Sequence, residues 1–130
     1  KISNEAKRTA NIMRGLPATF SDTLIAHMDR LEITVEKLEE KSLVNARTIQ
    51  RMRNDERYQP KLGTIVAVCI GLQLSPVLSA DMIRKSGNIF RATEEHIIYQ
   101  MLLNSHYQNS IYECNEILQA NNCRPLTKEE

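Results

Sequence analysis

Residues 34–53, TVEKLEEKSLVNARTIQRMR, constrain the fold of this chain more than any other stretch. They read as two short helices joined by a tight turn. Leu38 and Ser42 sit four apart on one face, Val44 follows at the turn, and Ile49 and Met52 sit three apart on the next face. Asn45, Arg47, Thr48, Gln50, Arg51 and Arg53 are left pointing outward. Helices this short cannot bury an apolar stripe alone, so they must pack crosswise on each other and on a flanking helix.

The flanks supply such partners. Phe20 to Leu31 reads as a first helix, with Ser21 or Asp22 as its N-cap and Leu24, Ile25, Met28 and Leu31 as its stripe. Thr34 caps the second helix. Asn54 to Pro60 is a polar break closed by proline, and Leu62 to Leu74 is a dense apolar run. Thr64 to Ile70 taken alone would also suit a buried strand, but its continuation through Gly71-Leu-Gln-Leu favours a buried helix. Ser75-Pro76 opens another helix, which ends before Gly87. Thr93 caps a helix carrying Ile97, Ile98, Met101 and Leu102, and Ser110 caps a last one carrying Ile111, Cys114, Ile117 and Leu118. The spacing predicts an all-α chain with helices near 21–32, 34–42, 45–54, 61–74, 77–86, 93–107 and 110–121. The expected core contains Leu24, Met28, Leu38, Ile49, Met52, Ile65, Val66, Cys69, Ile70 and Met82.

An apolar fraction of 42% permits that core, and only four Gly and four Pro argue against a disordered or all-β chain. Lengthwise, 130 residues suit one domain, or one domain with a tail. No apolar run approaches the roughly 20 residues of a membrane span, and no secretory signal opens the chain. Cys69, Cys114 and Cys123 form neither CxxC pairs nor an even set, so we expect reduced thiols and a cytoplasmic setting. His27, His96 and His106 are scattered, without HExxH, P-loop or GxGxxG, and His27 is expected at the surface or partly buried. Cys114 and His106 stand eight apart, too far to pair on one helix, although a break near Ser110 would alter that. We therefore expect no catalytic residues, no metal, no cofactor and no enzyme.

The spacing of residues 34–53 resembles the helix-turn-helix of the phage-repressor family, the lambda repressor-like Cro and C1 type. With Val44 just after the turn, the family's buried positions fall on Leu38, Ser42, Ile49 and Met52, all apolar or small. Glu39 departs from the pattern, standing where the family usually has Ala, and Leu43 stands where it often has Gly. The resemblance covers about Phe20 to Gly87 and implies a five-helix, lambda repressor-like helix-turn-helix domain with two additional C-terminal helices. On that reading residues 1–19 are a basic connector or arm, 20–87 the domain and 88–130 a C-terminal helical extension. Residues 4–13 can form a helix. The chain opens on lysine rather than methionine, and we expect it to belong to a longer bacterial protein with an upstream domain.

Charge is distributed unevenly along the chain. Asn45 to Lys61 carries five bases against Asp55 and Glu56, whereas Asp29 to Val44 carries five acids against three bases. Glu94 to Glu130 is acidic, with six acids against Arg124 and Lys128. The resemblance implies a sequence-specific transcriptional regulator of double-stranded DNA, with Asn45 to Asn54 in the major groove. By position Ala46, Arg47 and Arg51 face base edges, while Thr48, Asn54, Arg57 and Lys61 lie nearer phosphates; Asn45, Gln50 and Arg53 complete the expected surface. Weak homodimerisation is expected, since one short helix offers few base contacts. The plainer reading of Arg47 and Arg51 is a solvated cationic face paired to Glu36 or Asp55. A different class also stays open: a degenerate helix-turn-helix retained as a protein–protein interaction module, supported by the acidic second helix, Glu39 at the crossing and the acidic C-terminal pair.

Overall fold

The computed structural model describes residues 2–127, so Lys1, Lys128, Glu129 and Glu130 lie outside the described residues. Those described form α1 (Ile2–Arg14), α2 (Phe20–Leu31), α3 (Val35–Ser42), α4 (Ala46–Asn54), α5 (Leu62–Gly71), α6 (Pro76–Lys85), α7 (Glu94–Ser105) and α8 (Ile111–Ala120), with no strand among them. The fold is all-α.

Helix α5 is the axis of the molecule because it is apolar all round: eight of its ten residues are buried, including the whole run Ile65 to Ile70. It packs against α3, α6, α7 and α8. All ten residues expected in the core are buried. At Gly71 helix α5 comes close to α3. A Cβ there would stand 2.9 Å from Ser42 Cβ and 3.2 Å from Ser42 N. Ser42 suits the other side of this crossing, being small and donating its buried hydroxyl to Leu38 O at 2.6 Å.

Four helix ends depend on left-handed residues that are not glycine: Glu32, Leu43, Gln73 and Asn122. The expected helix 61–74 stops at Gly71 for this reason. Gln73 turns to φ 53°, so that its amide reaches Ile70 O at 2.9 Å and that of Leu74 reaches Cys69 O at 3.0 Å, a Schellman closure. At the other end of the chain order, neither Ser21 nor Asp22 caps α2. Thr19 Oγ1 accepts from Asp22 N at 3.1 Å, because the helix begins at Phe20, earlier than expected. Thr34, Thr93 and Ser110 cap their helices as expected, Ser110 in a full capping box with Glu113.

His27, expected at the surface or partly buried, is fully buried. It shares the α2 face with Thr23 and Leu24, and that face turns into the core against α4 and α6. Arg30 Nη2 lies 2.7 Å from His27 Nδ1. Nearby, Lys85 Nζ is held by Asp81 Oδ2 at 2.8 Å, Pro17 O at 2.8 Å and Thr23 Oγ1 at 3.1 Å, joining α6 to the start of α2. Helix α1 is mostly exposed and leans on the core through half-buried Ile12 and Met13.

Helices α7 and α8 share the core with α5: Ile98, Tyr99, Leu102, Leu103, Ile111, Cys114 and Leu118 all belong to it. Beyond α8 the chain folds back. Buried Asn115 accepts from Leu126 N at 2.8 Å, which pins the segment 123–127 beside the α3–α4 turn. Cys114 Sγ does meet residue 106, but at the backbone oxygen (3.7 Å), not the imidazole.

Candidate nucleic-acid interface

Helix α4 places its side chains by strict division of faces. Ile49 and Met52 are buried, whereas Arg47, Gln50, Arg51 and Asn54 are exposed at helical spacing and so form one stripe. The helix begins where it does because its first amides are satisfied twice. Asn45 Oδ1 accepts from Arg47 N at 2.8 Å, and Glu39 Oε2, reaching across from α3, accepts from Ala46 N at 2.7 Å. Glu39 therefore does not extend to solvent; its carboxylate faces the positive end of α4. Leu43, at φ 61°, closes α3 by donating to Glu39 O at 2.8 Å, and Val44 N donates to Ser42 Oγ at 3.1 Å. This network fixes the angle at which α4 leaves the turn.

The expected surface is brought together in part. Arg47 is exposed and makes no ion pair among the described residues. The Arg51 guanidinium pairs with neither Glu36 nor Asp55 among the described residues; it lies 4.1 Å from the centroid of the Tyr58 ring, a cation–π contact. Gln50 and Asn54 are linked side chain to side chain at 3.4 Å. Arg57 and Lys61 are exposed in the loop that follows, where Arg57 N donates to Asp55 Oδ1. Three residues of the expected surface depart. Arg53 is half-buried, with Nη1 3.6 Å from Met28 Sδ, because α2 crosses α4 at its last turn. Thr48 is half-buried and turns toward a groove beside α5, and Ala46 is half-buried under Glu39.

That groove, of about 1000 Å³, was not visible in the sequence. It runs between the α3–α4 turn, the start of α5, the start of α7 and the returning segment 124–127. No local pattern announces it, since its walls come from parts of the chain that meet only after folding.

The cysteines are free, and burial pushes the Cys69 thiol up to about 12 and the Cys114 thiol up to about 11. Both stay protonated near neutrality, the wrong state for a nucleophile. His96 Nδ1 accepts from Arg91 N at 2.9 Å and its ring stacks on Tyr99. Among the described residues no cluster of His, Cys, Asp and Glu has the arrangement of a metal site, and no helix is long and apolar enough to cross a membrane. Compared with protein-family models, curated proteins and solved structures, the chain matches none of them.

Proposed function

We propose that the α3–turn–α4 unit is a helix-turn-helix of the phage-repressor type and that the protein regulates transcription by binding double-stranded DNA. The observation that carries this reading is the stripe Arg47, Gln50, Arg51 and Asn54, exposed on a short helix whose opposite face is anchored by Ile49 and Met52. Arg47 pairs with guanine O6 and N7, and Arg51, steadied by Tyr58, reads a neighbouring base. Arg57 and Lys61 follow in the next loop, where they neutralise phosphates. One such helix gives few base contacts, so the reading includes a homodimer on two half-sites about one helical turn apart.

Selection from random duplexes at near-physiological salt tests this. A recovered motif with two related half-sites is the expected result. Arg47→Ala then costs about 1–3 kcal/mol at the selected site and relaxes its sequence preference, whereas Arg57→Ala weakens all sequences alike and flattens the salt dependence. A second reading, a protein-interaction module, draws on the exposed Glu36 and Glu40 of α3 and on the internal engagement of Arg51 and Arg53. Its signature is failure to enrich any motif, with weak, salt-labile DNA binding unchanged by Arg47→Ala.

A further inference from the structure

We infer that the cleft between α1 and the start of α6 is a binding site for a small amphipathic carboxylate, its apolar body on a leucine floor and its carboxylate between Arg8 and Arg30. The inference does not draw on the DNA-binding reading.

The cleft, of about 550 Å³, has the size of a small-molecule site. Its floor is apolar: Leu31, Leu72, Leu74 and Leu78 line it from the body, and Ile12 from α1. Its walls are cationic. Arg8 on α1 and Arg30 on α2 line the same space, and neither makes an ion pair among the described residues. Arg30 does have a partner, His27 Nδ1 at 2.7 Å, but burial keeps that imidazole neutral near pH 7. Burial also pulls the Arg30 pKa down, and no acid offsets it. Glu5 is the one acid among the lining residues, and it pairs with neither arginine. Two guanidinium groups without a counter-ion above an apolar floor suit a ligand that is anionic at one end only.

A third donor at the same place lacks a partner. Ser75 lines the cleft at the N-cap of α6, and its Oγ is buried without a hydrogen bond to any described group. Burying an unpaired hydroxyl costs free energy, which a carboxylate oxygen beside it would recover. The first turn of α6 carries no acid to oppose an anion there. Occupancy has a consequence for α1. Among the described residues no hydrogen bond or ion pair joins α1 to another helix, and none of its residues is fully buried. A carboxylate shared by Arg8 and Arg30 fastens α1 to the body.

The test is a titration of the full chain with octanoate below its micelle-forming concentration, with acetate and octyltrimethylammonium as comparison ions. Proton–nitrogen NMR reads binding, and amide hydrogen exchange reads the seating of α1. Expected are saturable shifts from Leu72 to Ser75 with octanoate, far weaker ones with acetate and none with the ammonium. Exchange from Ala6 to Met13 should slow as octanoate binds. Arg8→Ala, at an exposed position outside the core, should weaken octanoate roughly tenfold, the size of one hydrogen bond to a charged group. Ser75→Ala, which removes only the hydroxyl, should weaken it as well. Non-saturating shifts, equal binding of the ammonium, unchanged exchange in α1, or undiminished affinity in either variant would overturn the site. Inorganic phosphate binding as tightly as octanoate would leave the apolar floor without a part and overturn the amphipathic ligand.

Discussion

Glu39 shows how one side chain sets the geometry of a surface it does not belong to. Its carboxylate bonds the Ala46 amide at 2.7 Å, so the acid that departs from the repressor pattern becomes the support for the start of α4. Glu39→Ala should lower stability by about 1 kcal/mol, the usual cost of a lost N-terminal cap, read as a lower urea midpoint at unchanged slope. Glu39→Gln, which keeps an acceptor oxygen, should recover most of it. Gly71 is the complementary case, a residue whose value is an absent side chain. Because a Cβ there would meet the α3 backbone at Ser42, Gly71→Ala should cost about 1–3 kcal/mol in the same measurement.

Among the elements, the helix ends are the least relaxed parts of the chain. Glu32, Leu43, Gln73 and Asn122 occupy the left-handed region, where a side chain costs roughly 1–2 kcal/mol, and among the described residues only Gly87 fills such a position with glycine. Glu32 closes α2 at φ 55° and is exposed, with no side-chain hydrogen bond or ion pair among the described residues. Glu32→Gly should therefore raise stability by about 0.5–1 kcal/mol, seen as a higher thermal midpoint. The same replacement at Leu43 would give less, since that side chain is half-buried against the core.

For the whole molecule, acid stability rests on the node where α2 meets α6. His27 is fully buried, its Nδ1 accepts from Arg30, and its Nε2 finds no partner among the described residues. Burial first, then the charges of Arg30 and Lys85, pull its pKa down from 6.5 to about 4, against the opposing influence of Asp81. The unfolded chain thus binds a proton that the folded chain refuses between those values. The resulting stabilisation is complete above pH 6.5 and is lost as the pH falls through 4, an amount on the order of 3 kcal/mol. Urea unfolding between pH 7 and 4 should show this slope, and His27→Gln should flatten it.

Periodicity alone determined the seven central and C-terminal helices and all ten expected core residues, because a stripe recurring every three to four residues must turn inward whatever it meets. The same argument placed Asn45, Arg47, Gln50 and Arg51 outward, where they are exposed, together with Thr48 and Arg53, which are half-buried. What it could not supply was the far side of any contact. His27 lies on the apolar face of α2, and only the packing of α4 and α6 decided that nothing solvates it. Arg53 occupies an outward register on α4, yet the crossing of α2 draws it onto Met28. The groove beside α5 exists because Asn115 pins the returning chain at Leu126, eleven residues on in sequence, against a wall built from residues before 65. Such pairings depend on how the helices cross, and a one-dimensional pattern carries the period of each helix but not the angle between two.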